Sequence, residues 1–530
     1  MRTTTVGSAD PDRRPHVVVV GDVLLDQDVD GRTERLCPDA PVPVLDVTAR
    51  RTSPGGAGLT ALLVAASGAR VTLVAPLADD DGGRTLTAHL AARMDVLALG
   101  HDGATRRKTR IRSAGQSLVR IDDGGPGSPT EVPVNRLREV LGTADVVLVS
   151  DYGAGTTRDA VVRRLLAEVA QHRPVLWDPH PRGGDPVPGT VLVTPNAAEA
   201  RRAVVDLPDA ACLATEDVMA ARLRARWSAG AVCVTAGSVG AFVASSDAPP
   251  LFVPAPSVSG GDPCGAGDRF AATAAVTLAR GGSVADAVAL AVQDASGWVA
   301  DGGAEGYRRR VPAADGPPAG DAPSLGAGTS DLAAAPDGAP RRGATPEEAP
   351  DLPTASEGAP DLPTTPEGAP DLRALPGEGQ DLAALAARLR SGGRRLVATG
   401  GCFDIVHAGH VATLQAARRL GDALVVLVNS DDSVRRLKGA SRPVVTARDR
   451  ARVLEAFDCV DAVVVFDEDD PRAALELLRP DVWAKGGDYG DAELPEAEVV
   501  RRHGGRVVLL PYLGGRSTTS ILARSAGMSA

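Results

Sequence analysis

Short apolar runs alternate with helical stretches over two long zones of the chain. From about His16 to Arg310, HVVVVGDVLL, ADVVLVSDY, PVLWDPH, GTVLVTPN and AVCVTAG each read as a short buried strand ending in turn residues. Ala- and Leu-rich stretches such as AVVRRLLAEVAQ lie between them with a helical period. From about Asp381 onward the alternation returns. DLAALAARLRSGG reads as a helix with a Gly stop, and RRLVATGG, ALVVLVNSD, AVVVFDED, DVWAKGGD and RVVLLPY read as strands. Strands alternating with helices predict α/β architecture with a mostly parallel sheet. Such sheets take ligands beyond the carboxyl ends of their strands, where Gly21, Asp22, Asp151, Asp178 and Asn196 fall. A different alternation, in KTRIRSAGQSLVRID, predicts a β-ribbon with one polar face.

Between the zones the pattern collapses. From about Val311 to Gln380 the chain is dense in Pro, Gly, Ala and Asp and nearly free of large apolar residues. TPEEAPDLPT, ASEGAPDLPT and TPEGAPDLRA repeat there with a period of about ten residues. Each repeat offers one Leu against several breakers, too little burial to offset the entropy of ordering, so a disordered linker is expected. The expected domains are a flexible N-terminus (1–15), a large α/β domain (16–312), the linker (313–380) and a smaller α/β domain (381–530).

Composition narrows this picture. With 530 residues the chain exceeds one ordinary core, and with 3% aromatics its cores must be built from Ala, Val and Leu. A net charge of -11 argues against nucleic acid or a membrane surface as partner. No apolar run reaches membrane-spanning length and the first residues do not read as a secretory signal, so a cytoplasmic location is expected. Six scattered cysteines without CxxC spacing read as buried thiols of a reducing compartment.

Two motifs carry chemistry. The first is Gly260-Gly-Asp-Pro-Cys-Gly-Ala-Gly-Asp268, which runs into the helical AATAAVTLAR. Gly265, Ala266 and Gly267 sit where a loop enters a helix, so backbone N–H groups can close on an anion there. Asp268 stands at that entry, able to take a proton from an attacking hydroxyl, or else merely to cap the helix. The whole first zone resembles the ribokinase-like carbohydrate kinase family. The likeness rests on DPCGAGD (Asp262 to Asp268), PGGAG (Pro54 to Gly58), SDYGAG (Ser150 to Gly155), WDPH (Trp177 to His180) and TPNAAEA (Thr194 to Ala200). GDVLLD (Gly21 to Asp26) and PDAPVPVL (Pro38 to Leu45) look like the branch acting on heptose 7-phosphate.

That resemblance implies a ribokinase-like α/β fold using ATP with Mg²⁺. It makes Asp268 the catalytic base and Gly265 to Gly267 the cradle of the transferred phosphoryl group. Asn196, Ala197, Ala198 and Glu199 would border ATP–Mg²⁺, Glu199 on the metal side, and Thr235, Gly237 and Gly240 would flank the nucleotide. Asp22, Asp26, Gly55, Gly56 and Asp151 fall on the sugar side. The ribbon would be a lid, with Lys108, Arg110 and Arg120 available to a phosphorylated sugar or simply forming a solvated charge run. Leu59, Ala154 and His180 stand where the family commonly has Asn, Lys and Lys.

The second motif is Thr399-Gly-Gly-Cys-Phe-Asp-Ile-Val-His407-Ala-Gly409-His410, placed between a predicted strand and a helical VATLQAARRLGD. Two His three apart at a loop-to-helix junction can both face one phosphate chain and stabilise charge as pyrophosphate leaves. GCFDIVHAGH closely resembles the cytidylyltransferase-like superfamily, and the later segments NSDDSVRRLKG, SRPV, DRARVLEAF, WAKGGDY and GRSTTSIL resemble its heptose-linked adenylyltransferase members. The resemblance implies a Rossmann-like domain in which His407 and His410 act at the α-phosphate. Gly401, Phe403, Asp404, Lys438, Arg442, Lys485, Gly486, Asp488, Ser517, Thr518 and Thr519 would line the nucleotide. Gly400 replaces the Asn common in the family.

Together the resemblances imply phosphorylation of D-glycero-β-D-manno-heptose 7-phosphate at C1, removal of the 7-phosphate by a separate phosphatase, then adenylyl transfer from ATP to the 1-phosphate. A homo-oligomer is compatible with this. Another phosphosugar, CTP in place of ATP, or one half decayed to a regulatory module remain the alternatives.

Overall fold

The computed structural model describes residues 14–40, 42–114, 116–125, 127–207, 215–245, 249–310, 381–486 and 494–511. The linker over 313–380 lies outside them, as do Cys212, Asp488, Ser517, Thr518 and Thr519.

The apolar runs become the centre of a large sheet. In the first zone the order from the edge is Asp95–Leu99, Arg70–Pro76, His16–Gly21, Val146–Ser150, Val175–Asp178, Leu192–Val193 and Ala231–Thr235, all parallel. Gly240–Ser245 and Leu251–Pro254 extend it antiparallel. Parallel strands covered on both faces need no polar alternation, and Val17 to Val20 are all 0% exposed. One face packs on helices Ala57–Ala66, Ala266–Ala279 and Val284–Ala300, the other on Val134–Gly142, Ala160–Ala170 and Glu216–Trp227. Both cores are mostly Ala, Val and Leu, as the scarcity of aromatics required.

HVVVVGDVLL, read as one strand, is two. His16–Gly21 stays in the large sheet, while Val23–Leu36 leaves for a four-stranded sheet with Pro43–Gly56, Arg107–Ser113 and Gln116–Asp123. The last two strands are the predicted ribbon. The break falls at Asp22, whose carboxylate takes the N–H groups of Tyr152, Ala154 and Thr156.

The second zone has strand order Ala462–Phe466, Ala423–Asn429, Leu396–Gly401, Val482–Gly486, Arg506–Leu510, all parallel. The chain therefore winds outward one way from Leu396–Gly401 and then the other, which is the doubly wound pattern. Leu251 pairs with Leu509, so the two zones share a 14-stranded sheet, and the side chains of Phe242 and Phe252 join an apolar cluster with Leu414 and Leu420. Arg506 Nε lies 2.5 Å from the buried Asp217 across this join. The sequence reading, built on a flexible tether, did not foresee this contact.

Among the described residues no helix is long and apolar enough to cross a membrane. The five described cysteines are unpaired; Cys233 is buried, but Cys264 is exposed, which corrects the expectation of uniformly buried thiols.

Candidate active sites

In the first zone winding reverses between His16–Gly21 and Val146–Ser150, and the carboxyl ends of these strands deliver Asp22 and Asp151 to the crevice. Opposite them the helix Ala266–Ala279 begins, with Gly265 as its N-cap at φ +79. A Cβ there would meet Trp298 and Leu59 at 3.3–3.4 Å, and its backbone angle disfavours any side chain. Ala266 N–H is spent on Pro263 O (3.0 Å). Helix geometry leaves the next amides, those of Gly267 and Asp268, without a helical acceptor. Nothing crowds Gly267 within 4 Å of a Cβ position.

Asp268 is buried, and two hydroxyls donate to one of its oxygens: Thr60 Oγ1 at 2.6 Å and Tyr152 OH at 2.5 Å, both to Oδ1. Among the described residues no donor meets the other oxygen, Oδ2. Burial pushes the Asp268 carboxyl above its ordinary range, while the two hydroxyls pull it back. The Tyr152 phenol is pushed well above its ordinary value by burial and the Asp268 charge, so it stays a donor. Neither Thr60 nor Tyr152 was singled out by the motifs.

Asp178, Glu199, Asp151 and Asp268 lie close enough for their charges to act on one another. Burial first and then the Glu199 charge push Asp178 well above its ordinary range, and Asp268 and Asp151 add to it. Burial also raises Glu199 and lifts Asp151 to about 6. No group of three or more His, Cys, Asp or Glu among the described residues is arranged to hold a metal alone. Mutually raised carboxylates without a cage fit a hydrated Mg²⁺ that arrives on nucleotide phosphates, with Glu199 and Asp178 beside it.

Asn196 and Glu199 form a capping box on the helix Ala197–Val204: Ala198 N–H and Glu199 N–H donate to Asn196 Oδ1 (3.0 Å each), and Asn196 N–H donates to Glu199 Oε2 (2.8 Å). Asn196 bridges to Thr235, which brings the turn Gly237 to Gly240 alongside. Gly240 has φ +133, and a Cβ would sit 2.1 Å from Val253 O.

The sugar-side residues divide. Asp22 is wholly engaged, accepting also from Thr156 Oγ1 (2.6 Å), and Asp151 accepts from Thr157 Oγ1 (2.6 Å) and Gly153 N (2.7 Å). Both order the 151–157 loop that carries Tyr152. Asp26 lies over Gly55, with Oδ2 2.3 Å from where a Cβ would be, and accepts from Arg110 Nη1 (2.7 Å). A Cβ on Gly56, at φ +62, would meet Asp22 O at 2.5 Å. Lys108 is placed over the Tyr152 ring at 5.6 Å. Arg120 is exposed and pairs with Asp122 (2.9 Å).

Beside them is a cavity of about 540 Å³ where Arg106, Arg158 and Arg182 converge with Asp122 and Asp123. His180 borders it at Gly153. Arg182 N–H donates to His180 Nδ1 (3.2 Å), which puts the ring proton on Nε2. Burial, then the Arg182 and Arg106 charges, lower its pKa, which favours the neutral ring. Arg158 and Arg182 carry no sequence signal of their own.

In the second zone the switch point lies between Leu396–Gly401 and Val482–Gly486. His407 caps the helix Ala408–Arg418, its Nδ1 accepting from Gly409 N (3.2 Å), so the ring proton sits on Nε2. The His407 and His410 rings stack at 3.9 Å, with Phe403 5.1 Å from His410. Burial lowers His410 to about 4, and positive charge at His407, were it protonated, or at Lys438 adds to the effect.

Asp404 accepts from Val444 N (2.7 Å) and Val445 N (3.0 Å), and Arg442 Nε lies 2.6 Å from its second oxygen. Arg450, also unforeseen, ties Cys402 O (2.6 Å) to Asp431 (2.8 Å). These bonds fasten the 442–447 segment to the His loop. Lys485 meets Glu496 (2.9 Å) and faces Trp483. A Cβ on Gly486 would touch Thr413 at 3.0 Å. Gly401 stands beside Phe403, and a Cβ on Gly400 would come 2.8 Å from the buried Trp483 ring, which gives this chain's departure from Asn a steric reason.

A buried carboxylate in the first turn of a helix, joined in one chain to stacked His at a second switch point, fits a sugar kinase coupled to a nucleotidyltransferase. The pfkB family carbohydrate kinase model matches residues 14–306, and the cytidylyltransferase-like model residues 398–507. The Bifunctional protein HldE of Streptomyces coelicolor is 47% identical over 516 residues, 97% of each chain. Its namesake in Halorhodospira halophila is 36% identical over 97% of each, and that of Azorhizobium caulinodans 35% identical over 96% of this chain and 98% of its own. The chain belongs to the family of these bifunctional proteins.

Proposed function

We propose that the chain performs two steps of ADP-heptose synthesis: ATP-dependent phosphorylation of D-glycero-β-D-manno-heptose 7-phosphate at C1, and adenylyl transfer from ATP to the heptose 1-phosphate. The observation that carries the chemistry is Asp268 held by Thr60 and Tyr152 at the helix start, in the same chain as the stacked His407 and His410. The whole-length likeness to the bifunctional relatives supports this sugar and nucleotide over the alternatives.

In the kinase step Asp268 Oδ2 takes the proton of the C1 hydroxyl. The sugar oxygen forms its bond to the γ-phosphorus, and the bond to the β–γ bridging oxygen breaks, releasing ADP. The amides of Gly267 and Asp268 receive the transferring group. Glu199 and Asp178 would hold Mg²⁺, which would supply positive charge to the phosphates. Asp26, Gly55 and Lys108 face the sugar, while Asp22 and Asp151 hold the loop that presents Tyr152. The cavity of Arg106, Arg158 and Arg182 takes the terminal phosphate.

In the transfer step the sugar 1-phosphate attacks the α-phosphorus of a second ATP and pyrophosphate departs. His407 Nε2–H, His410 and Lys438 face the charge that develops. The intervening loss of the 7-phosphate belongs to a separate phosphatase. The domain limits near 16–312 and 381–530 and cytoplasmic residence complete the reading. For a homo-oligomer, exposed Val119 and Ile121, which register places on one face with Ile111, offer a second copy an apolar surface; sedimentation showing only monomer would remove that part.

The deciding experiment is phosphorus NMR of the protein with Mg-ATP and the heptose 7-phosphate. A new anomeric phosphate signal with ADP is expected, and a 7-phosphatase added afterwards should bring ADP-heptose and pyrophosphate. No consumption of ATP would overturn the assigned sugar. In the same assay Arg158→Gln should raise the KM for the sugar phosphate about tenfold, one charged hydrogen bond's worth, and leave that for ATP alone.

A further inference from the structure

The helix Gly303–Arg310 joins two parts of the kinase site that the motifs treat separately. Its first turn is fixed to the phosphate loop. Ala304 N–H donates to Cys264 O (3.0 Å), the residue before Gly265, and a Cβ on Gly303 would sit 2.4 Å from Asp262 O. Its later residues reach the small sheet. Glu305 meets Arg112 at 2.5 Å, and Arg308 lies 3.8 Å from Asp26 and 3.7 Å from Asp28. Asp26 and Asp28 stand two apart on one strand and so share a face. That face also carries Lys108, Arg110 and Arg112, their register partners being Asp26, Asp28 and Asp30.

The burial of this cluster sets its energetics. Side-chain exposure is 12% at Asp26, 7% at Asp28 and 14% at Arg308. Two neighbouring carboxylates so shielded repel one another, and Arg110 from the sheet reaches both, at 2.7 and 3.9 Å. A further cation comes from outside the sheet, from a helix seated on the phosphate loop, so the charge of Asp26 and Asp28 is shared between the small sheet and that helix.

We infer that Arg308, with Glu305, is a positioning residue for sugar binding: it latches the small sheet to the helix that abuts the phosphate loop and orients Asp26. This rests on the reading of Asp26 as a sugar-site residue.

The test uses the full chain with Arg308→Gln, Arg308→Lys and Glu305→Gln. Arg308→Gln should raise the KM for the sugar phosphate about tenfold, with kcat and the KM for ATP within about threefold, and Arg308→Lys should recover most of the loss. Adenylyl transfer by the same protein should be unchanged. Without any substrate, hydrogen exchange of the 107–123 segment should quicken in Arg308→Gln and in Glu305→Gln. An unchanged sugar KM with unchanged exchange would overturn the latch, and so would equal rises in both KM values. Asp26→Asn is the parallel control. If it leaves the sugar KM unmoved while Arg308→Gln still quickens exchange, the fault lies in the reading of Asp26 and not in the latch.

Discussion

Asp268→Asn is expected to lower kinase turnover by about 10²–10⁴-fold while adenylyl transfer by the same molecule continues unchanged. The substitution is nearly isosteric. The amide oxygen of the variant side chain would still accept from Thr60 and Tyr152, which donate to Oδ1 of Asp268 at 2.6 and 2.5 Å, so the loop and helix should stay in place. What is lost is the second oxygen, replaced by an NH₂ that cannot take a proton. The KM values should therefore move little and kcat should fall. Unaltered kinase turnover would sink the assignment of the base.

The same site has a pH signature. The base works as a carboxylate, so activity falls as pH drops through its pKa, and burial places that limb above the ordinary carboxylate range. The hydroxyls of Thr60 and Tyr152 stabilise the charged form. Tyr152→Phe removes one of them and should shift the acid limb of kcat/KM to higher pH.

The parts of this site that could be read along the chain are those encoded locally. GAGD before an Ala-rich helix announces a glycine turn into a helix start, because glycine conformation and helix start are properties of neighbouring residues. Thr60 and Tyr152 reach Asp268 across 208 and 116 positions, and only packing brings them there. Asp22 shows the opposite failure. It stands at a strand end, where ligands bind, yet its oxygens are taken by backbone amides of a loop 130 to 134 residues away. Arg158 and Arg182 look like surface charges in sequence, since a cavity is a property of tertiary structure. Gly400 is legible only once the Trp483 ring is seen where a Cβ would go. The join at Leu251 and Leu509 left no trace in the alternation pattern, because an edge strand that finds a partner has the same residues as one that does not.

His410→Ala is expected to lower adenylyl transfer by about 10²–10³-fold, the usual cost of removing one donor aimed at developing charge, with kinase activity intact. Two features of the His loop give the expectation its form. Gly409 N–H donates to His407 Nδ1, which fixes the His407 proton on Nε2 without any need for a cation. His410, stacked on it at 3.9 Å, is held down to about 4, chiefly by burial. The free enzyme thus presents His410 as a neutral ring throughout the physiological range. The kcat/KM for adenylyl transfer, which reports the free enzyme, should then show no limb near the ordinary histidine value of about 6.5 from His410. The sign for stability follows from the same depression. The unfolded chain takes up the His410 proton at about 6.5 and the folded chain only near 4, so folding weakens as pH falls through that window. His410→Asn should remove this acid-side loss of stability in thermal melts between pH 7 and 5 while it also slows transfer. Wild-type transfer with a limb near 6.5 that disappears in His410→Asn would mean that the working form of His410 is the imidazolium, and the neutral ring would have to be abandoned.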